Sequence, residues 1–262
     1  MTIDPAALCL YERYPKLFQL ASFSLPERED APVVPRLREL ATLCGIHDVS
    51  VRPLAVQALL VDKPRLEVWL NQEDPRTVRN FSLAHEIGHV LIGMPHNPLS
   101  SGPVVEERCE RIARQIVTPP PAVAEVASQS GASLTVLFSL ARQFDVSRHT
   151  MAASIVSDGS WNVVILLWTR KGRPGSGQKK IRPERWWKRP GQRIYIPDNL
   201  PAPPFSNVYR AYTDGHARRS REKLRRGTLN GMFETEAIRL GPGPFGINEG
   251  KATWIWEMVH LD

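Results

Sequence analysis

The chain has 262 residues, of which 42% are hydrophobic and 23% charged, with a formal net charge of +7. This is the composition of an ordinary globular protein with room for one large domain or two to three small ones, each able to bury a core. No apolar run approaches the ~20 residues of a membrane-spanning helix, and MTIDPAALCLYERYPK lacks the basic-then-apolar order of a secretion signal. Three widely separated cysteines, Cys9, Cys44 and Cys109, exclude a disulfide framework or a zinc knuckle and fit a reducing, cytoplasmic compartment.

Charge is spread unevenly along the chain. Residues 1–159 hold 15 basic and 18 acidic side chains, a net −3, whereas residues 160–262 hold 19 and 9, a net +10. The change suggests a boundary near SDGS, 157–160. The basic part beyond it is either a surface that meets nucleic acid or an acidic protein, or a solvated surface rich in arginine.

In chain order, VVPRLRELATLCGI places Leu37, Leu40, Ala41 and Cys44 on one helical face and stops near Gly45. VSVRPL, VQALLVD and RLEVWLN, broken by Pro53 and by Asp62-Lys63-Pro64, read as strands of a small antiparallel sheet. DPRT offers Asp74 as N-cap and Pro75 just inside a helix whose buried face runs through Phe81, Leu83, Ala84, Ile87, Val90 and Leu91 to Gly93. A loop, HNPLSSGP, leads to a second helix, VVEERCERIARQIV, halted by prolines 119–121.

Three further helical pieces follow. Leu137, Leu140, Ala141 and Phe144 line the second and Met151, Ala152 and Ile155 the third, with Val146 and Ser147 as turn and N-cap between them. Two helices joined by a tight turn have the outline of a helix-turn-helix. The last hundred residues carry strand-like pieces, WNVVILLW, QRIYIP, EAIRLG and ATWIWEMV, and a basic stretch, HARRSREKLRR. The predicted class is α+β: helices with a small sheet over 1–120, a helix-turn-helix-like segment over 121–159, and a mixed α/β or mostly β, basic domain over 160–262 with a sensor or partner-binding role.

The chemistry concentrates in FSLAHEIGHVLIG, 81–93. A helix advances 3.6 residues per turn, so His85 and His89 share a face one turn apart and their imidazoles converge on one point. Glu86, about a hundred degrees around the helix, misses that point but reaches a water held there. Gly88 forfeits roughly 0.8–1.0 kcal/mol of helix stability relative to Ala, which makes sense where another backbone or a substrate comes close. Two histidines at this spacing with glutamate between them form a zinc-peptidase motif, the alternative being a core helix with two imidazoles bonded to carbonyls. A hydrolytic site needs a third protein ligand. Glu106 lies on the inward face of the next helix, which Cys109, Ile112, Ala113 and Ile116 mark, near its beginning. Glu107 points further out, and Glu110, a turn along, is a candidate acceptor for a ligand imidazole N–H. As a helix N-terminal acid, Glu106 has a purely structural reading as well.

FSLAHEIGH followed by E-x-x-C-E-x-I-A-x-x-I-V-x-P, Glu106 to Pro119, resembles the ImmA/IrrE family of bacterial zinc metallopeptidases. The likeness covers roughly residues 30–156, including the helix-turn-helix-like region. It departs from the family pattern at Ile112, at Glu110 and over residues 116–118, none of them a presumed ligand. The resemblance implies a zincin-like fold and an ion, zinc or in the cell manganese, held by His85, His89 and Glu106, with Glu86 as catalytic base. It further implies narrow proteolysis of a helix-turn-helix repressor that releases stress or mobile-element genes. Strand LEVWLN is a candidate for pairing with an extended substrate, and His96 a candidate partner for the oxyanion. The rival expectation is a DNA-binding regulator with a structural or vestigial metal site, using ARQFDVSRHTMAA, Arg148 and the basic C-terminal region.

Overall fold

In the computed structural model the described residues are 3–19, 23, 31–62, 64–93, 102–157, 161–172, 179–197, 201–240 and 254–261. They fall into two compact units, residues 1–126 with 138–154, and residues 127–137 with 155–262. None of the described helices is long and apolar enough to cross a membrane.

The first unit begins with α1 (Pro5–Arg13), a 3-10 turn (Pro15–Phe18) and α2 (Pro35–Leu43). Proline at the first position suits α1 and α2, since the N–H it lacks has no partner there. Strands β1 (Asp48–Arg52), β2 (Ala58–Val61) and β3 (Glu67–Asn71) form one sheet in the order β1-β3-β2. This sheet is mixed rather than antiparallel: β2 and β3 pair antiparallel, but β1 pairs parallel with β3. The intervening chain, 53–66, is long enough for the crossover that parallel pairing requires. Val49, Leu60, Val68 and Leu70 are buried on one face, alternating with half-buried residues on the other.

Helix α3 (Arg76–Leu91) starts one residue later than Asp74 capping predicts. Pro75 is its N-cap, with no side-chain cap bond. The Pro75 carbonyl accepts from the N–H groups of Val78 and Arg79 at 2.9 and 3.0 Å. Asn80, fully buried, does the anchoring. Its Oδ1 accepts from Val34 N–H at 3.1 Å just ahead of α2, and its Nδ2 donates to the Asp145 carbonyl and carboxylate, both at 3.0 Å.

Helix α4 (Pro103–Val117) ends at Thr118, and Pro120 opens α5 (Pro120–Gln129), so the triple proline ends one helix and begins the next. Two buried polar groups fix α4. Arg36 on α2 donates to the Ile116 carbonyl at 3.1 Å and lies 4.0 Å from the Phe23 ring, and burial pushes its pKa down to about 9. Asp4 receives Arg108 and Arg111, while its own N–H donates to Gln115 Oε1 at 2.9 Å. Burial pushes the Asp4 carboxyl up, but Arg108, the Ala6 N–H and Arg111 outweigh it and leave the pKa below its ordinary value.

Helices α6 (Leu134–Gln143) and α7 (Arg148–Ser157) follow, with Asp145 at φ 50° and Ser147 Oγ accepting from Thr150 N–H at 3.1 Å. The turn and N-cap therefore stand where the sequence puts them. The two compact units divide α5, α6 and α7 between them.

The second unit holds β4 (Val163–Gly172), β5 (Lys179–Trp187), α8 (Asn207–Asp214), β6 (His216–Arg226), β7 (Leu229–Leu240) and β8 (Trp254–His260). The strands form one antiparallel sheet in the order β5-β4-β8-β7-β6. Val164, Leu166, Trp168, Leu224 and Val259 form a core with Val208 and Ala211 of α8. QRIYIP, expected as a strand, is not one. Its Tyr195 carbonyl accepts from Thr228 N–H at 3.1 Å, beside the β6–β7 turn. One cation of the basic stretch is core: Arg226 is fully buried, donates to the equally buried Glu257, and lies 4.8 Å from the Trp168 ring. Burial raises the Glu257 pKa even against Arg226.

Candidate metal centre

Helix α3 carries His85 and His89 one turn apart, with ring centroids 4.9 Å from each other and planes 70° apart. The first turn of α4 brings Glu106 to them. The two Nε2 atoms lie 3.1 Å apart, with Glu106 Oε2 3.1 Å from His85 Nε2 and Glu106 Oε1 3.5 Å from His89 Nε2. Among the described residues these three form a cluster whose ligand atoms all lie within 4.8 Å of one another. Tetrahedral donors with bonds of about 2.0–2.2 Å are separated by about 3.3–3.6 Å. The observed spacings sit at or just inside that chord, so the donor set fits a single small divalent ion. Two nitrogens and one carboxylate leave one tetrahedral position for a further ligand.

Burial is graded across the cluster: the side chain of His89 is 2% exposed, that of His85 19% and that of Glu106 38%. The open side is therefore the side of His85 and Glu106. Glu86 is buried, and its Oε2 has no hydrogen-bond partner among the described residues. Burial, and after it the neighbouring charge of Glu106, pushes the Glu86 pKa up to about 7. His89 is held below its ordinary value by burial and by His85, against Glu106, and its Nδ1 is likewise buried without a partner among the described residues. A cation at the convergence point would oppose the charge repulsion felt by the glutamates.

Gly88 marks the place where the two helices touch. A Cβ there would lie 3.4 Å from the Cα and carbonyl oxygen of Cys109 on α4, the close backbone approach that a helical glycine suggests. Cys109 is buried, and its thiol is pushed up to about 12 by burial and by the charges of Glu106 and Glu86. Such a thiol is a packing group rather than a nucleophile.

Of the other candidate residues, Glu107 and Glu110 are both exposed and outside the cluster. Glu110 does not serve as the acceptor for a ligand imidazole: one helical turn beyond Glu106, it turns to solvent while Cys109 takes the inward position. His96 lies outside the described residues. Strand β3 is paired on both edges and offers no free edge to a substrate, because β1 occupies one side and β2 the other. Sequence reasoning missed Asn80 and Arg36, the two polar groups that hold α3 and α4. Asn80 falls on the buried face of α3, five residues before His85, and a polar residue there is the signal that could have pointed to it.

Residues 45–155 match the peptidase M78 family model, described as the IrrE N-terminal-like domain. This stretch belongs to the ImmA/IrrE family. The match encloses the three converging side chains, Glu86, the three-stranded sheet and most of the helices that follow. No curated protein matches the chain. Among solved structures, a Mycobacterium tuberculosis transcriptional regulator is similar with a TM-score of 0.53 and 14% identity, over 97% of this chain and 79% of that one. At that identity the likeness extends to the fold, which for this α+β chain is in keeping with the zincin-like architecture of the IrrE-like domain.

Proposed function

We propose that the protein is a metal-dependent endopeptidase of narrow specificity, with His85, His89 and Glu106 as ligands of a zinc ion and Glu86 as general base. The observation that carries this reading is the convergence of three ligand atoms within 4.8 Å beside a buried carboxylate whose Oε2 lacks a partner among the described residues. A structural zinc site is closed by four protein ligands, and among the described residues no fourth joins the cluster. The chemistry such an ion supplies when bound is Lewis acidity, which acidifies water toward a pKa of about 7 and polarises a carbonyl.

The chain's own groups do the rest. Glu86, buried next to His85 with an Oε2 that has no partner among the described residues, is placed to exchange protons with water at the site. It takes a proton from the water that adds to the peptide carbonyl carbon and delivers it to the amine nitrogen as the C–N bond breaks. With β3 paired on both sides, the edges left for an extended peptide are those of β1 and β2; β2, the one of the two that packs against α3, is the proposed substrate edge. Following the family, the substrate is a helix-turn-helix repressor, and its cleavage releases the genes it holds down.

The DNA-binding alternative fits less well. A recognition helix offers three or four exposed side chains to the major groove, but α7 buries Met151, Ala152, Ser154, Ile155 and Val156 and exposes only Arg148 and His149. The deciding experiment incubates the pure protein with repressors encoded near its gene, with and without a chelator. The wild type cleaves one of them, chelator stops it, and Glu86→Gln keeps its metal but does not cleave. Cleavage by Glu86→Gln at the wild-type rate rejects the base.

A further inference from the structure

The basic stretch 216–226 is strand β6, at one end of its sheet, with β7 as its one strand neighbour among the described residues. Arg226 stands opposite Leu229 across the turn of Gly227 and Thr228, and the register runs unbroken from there back to Ser220. In a hairpin with a two-residue turn the closing pair exchanges both N–H···O bonds, and bonded and unbonded pairs alternate from it. Ser220, Glu222, Leu224 and Arg226 therefore turn their backbone groups to β7. The N–H and C=O groups of Arg221, Lys223 and Arg225 point the other way, to the outer edge, and no described residue bonds to them. The same three residues carry exposed cations. Their side chains stand on the face opposite to Ser220 and Glu222, where Asn207 of α8 is fastened. Arg219 is paired with Glu234 at 2.7 Å, whereas Lys223 and Arg225 stand opposite Met232 and Asn230, which carry no charge. A row of cations about 7 Å apart thus borders a row of backbone donors and acceptors.

End strands are commonly closed to further pairing by a proline, a bulge or charge. The strand at the other end of this sheet, β5, has two of these: Pro183, and a register shift against β4 between Leu167, opposite Arg185, and Trp168, opposite Pro183. Between Ser220 and Arg226 β6 has no proline, and its own register shift lies earlier, between Ala217 and Ser220. Charge alone guards this edge. A second copy added antiparallel through β6 would set cation against cation, and like charges directly opposite one another destabilise a strand pair. The edge is closed to its own kind and open to a strand of opposite sign.

We infer that β6 takes an extended acidic segment of a partner protein as an added strand, with carboxylates at alternate positions facing Arg221, Lys223 and Arg225. The added strand runs antiparallel, as every other pair of this sheet does. Its acidic residues are those directly opposite the three cations, and they turn their own N–H and C=O groups to β6. The residues between them are uncharged, since they lie on the side of Glu222. A phosphate chain would satisfy the cations but not the edge: phosphates only accept hydrogen bonds, while the outward carbonyls need donors. A polypeptide supplies both at the matching repeat. The inference is independent of the peptidase reading, since no residue of the metal cluster takes part.

The test is fluorescence anisotropy of a labelled octapeptide of alternating glutamate and threonine, titrated with the full chain at low salt. Saturable binding is expected, and Lys223→Gln with Arg225→Gln weakens it by about 2- to 30-fold, the range for two cross-strand ion pairs. Two methylated peptides separate strand pairing from charge attraction in the wild-type chain, whatever the double variant does to folding. Methyl groups on the glutamate amide nitrogens, which face β6, remove the bonds to the edge; on the threonine nitrogens, which face away, they do not. The second peptide binds about tenfold or more tightly than the first. Amide exchange at Lys223 and Arg225 is fast in the free chain and slows when the unmethylated peptide binds. The inference is overturned by absence of saturable binding, by equal affinity for the two methylated peptides, or by a double variant that binds like the wild type. Oligothymidine binding more tightly than the peptide, and losing that affinity in the same double variant, would give the row to phosphates and overturn it equally.

Discussion

Gly88 separates a packing requirement from a chemical one, and its substitutions have opposite predicted signs. A Cβ at residue 88 would lie 3.4 Å from the Cα and O of Cys109 and 3.5 Å from its Cβ, the inner limit of ordinary contact. Alanine therefore fits with almost no movement and recovers the helix cost of glycine, about 0.8–1.0 kcal/mol. Valine adds two methyl groups where α4 already touches, and overpacking of this kind costs about 1–3 kcal/mol. For a domain of this size 1 kcal/mol corresponds to about 2–4 °C in Tm. Calorimetry of the metal-free protein should thus place Gly88→Ala a few degrees above the wild type and Gly88→Val below it. Glu106 lies one turn before Cys109 on the same helix, so moving α4 outward also lengthens the 3.1 Å separation from His85. Zinc affinity, measured by competition with a chromophoric chelator, should be near wild type for Gly88→Ala and reduced about tenfold or more for Gly88→Val, the effect of about 1.4 kcal/mol at the site. A valine variant with wild-type Tm and wild-type zinc affinity would refute the idea that α3–α4 contact sets the cluster.

Glu86 gives a pH signature in the metal-free protein. Its folded pKa, pushed up to about 7, exceeds the ordinary 4.5, so the folded state binds more protons than the unfolded state between those values. Stability from this group is present below pH 4.5 and lost as pH rises through 7, by roughly 3 kcal/mol at 1.36 kcal/mol per unit. Denaturant titrations at pH 5 and pH 8 should show that difference shrink in Glu86→Gln, and an identical pH dependence would contradict it. Asn80→Ala removes three hydrogen bonds, two of them buried, and leaves the half-buried Val34 N–H without its Asn80 acceptor; a loss of about 2–4 kcal/mol in urea unfolding is expected, against an unchanged midpoint if Asn80 does not anchor α3.

Much of the fold and the site is legible in the sequence because the signals are local. Apolar periodicity locates α2, α3, α4, α6 and α7, and the four-residue spacing of His85 and His89 puts them on one face. The inward face of α4, marked by Cys109, Ile112, Ala113 and Ile116, singles out Glu106 over Glu107 and Glu110, and the folded chain brings Glu106 to the histidines. What is not legible depends on pairing at a distance. That β1 runs parallel to β3, and that β3 is therefore closed on both edges, follows from a crossover that alternation patterns do not encode. Asn80, Arg36 and Asp4 act through partners 46 to 111 residues away. Arg226 reads as one more surface cation among its neighbours, and only the pleat of β6 turns it inward onto Glu257 and Trp168.

The central claim is that one divalent ion is held by His85, His89 and Glu106 with a position left over. Anomalous diffraction from crystals grown with zinc tests it directly. The account predicts a single strong peak about 2.0–2.2 Å from His85 Nε2, His89 Nε2 and a Glu106 oxygen, with Glu86 outside bonding distance and solvent on the open side. A peak elsewhere, a fourth protein ligand closing the site, or no peak between those imidazoles would contradict it.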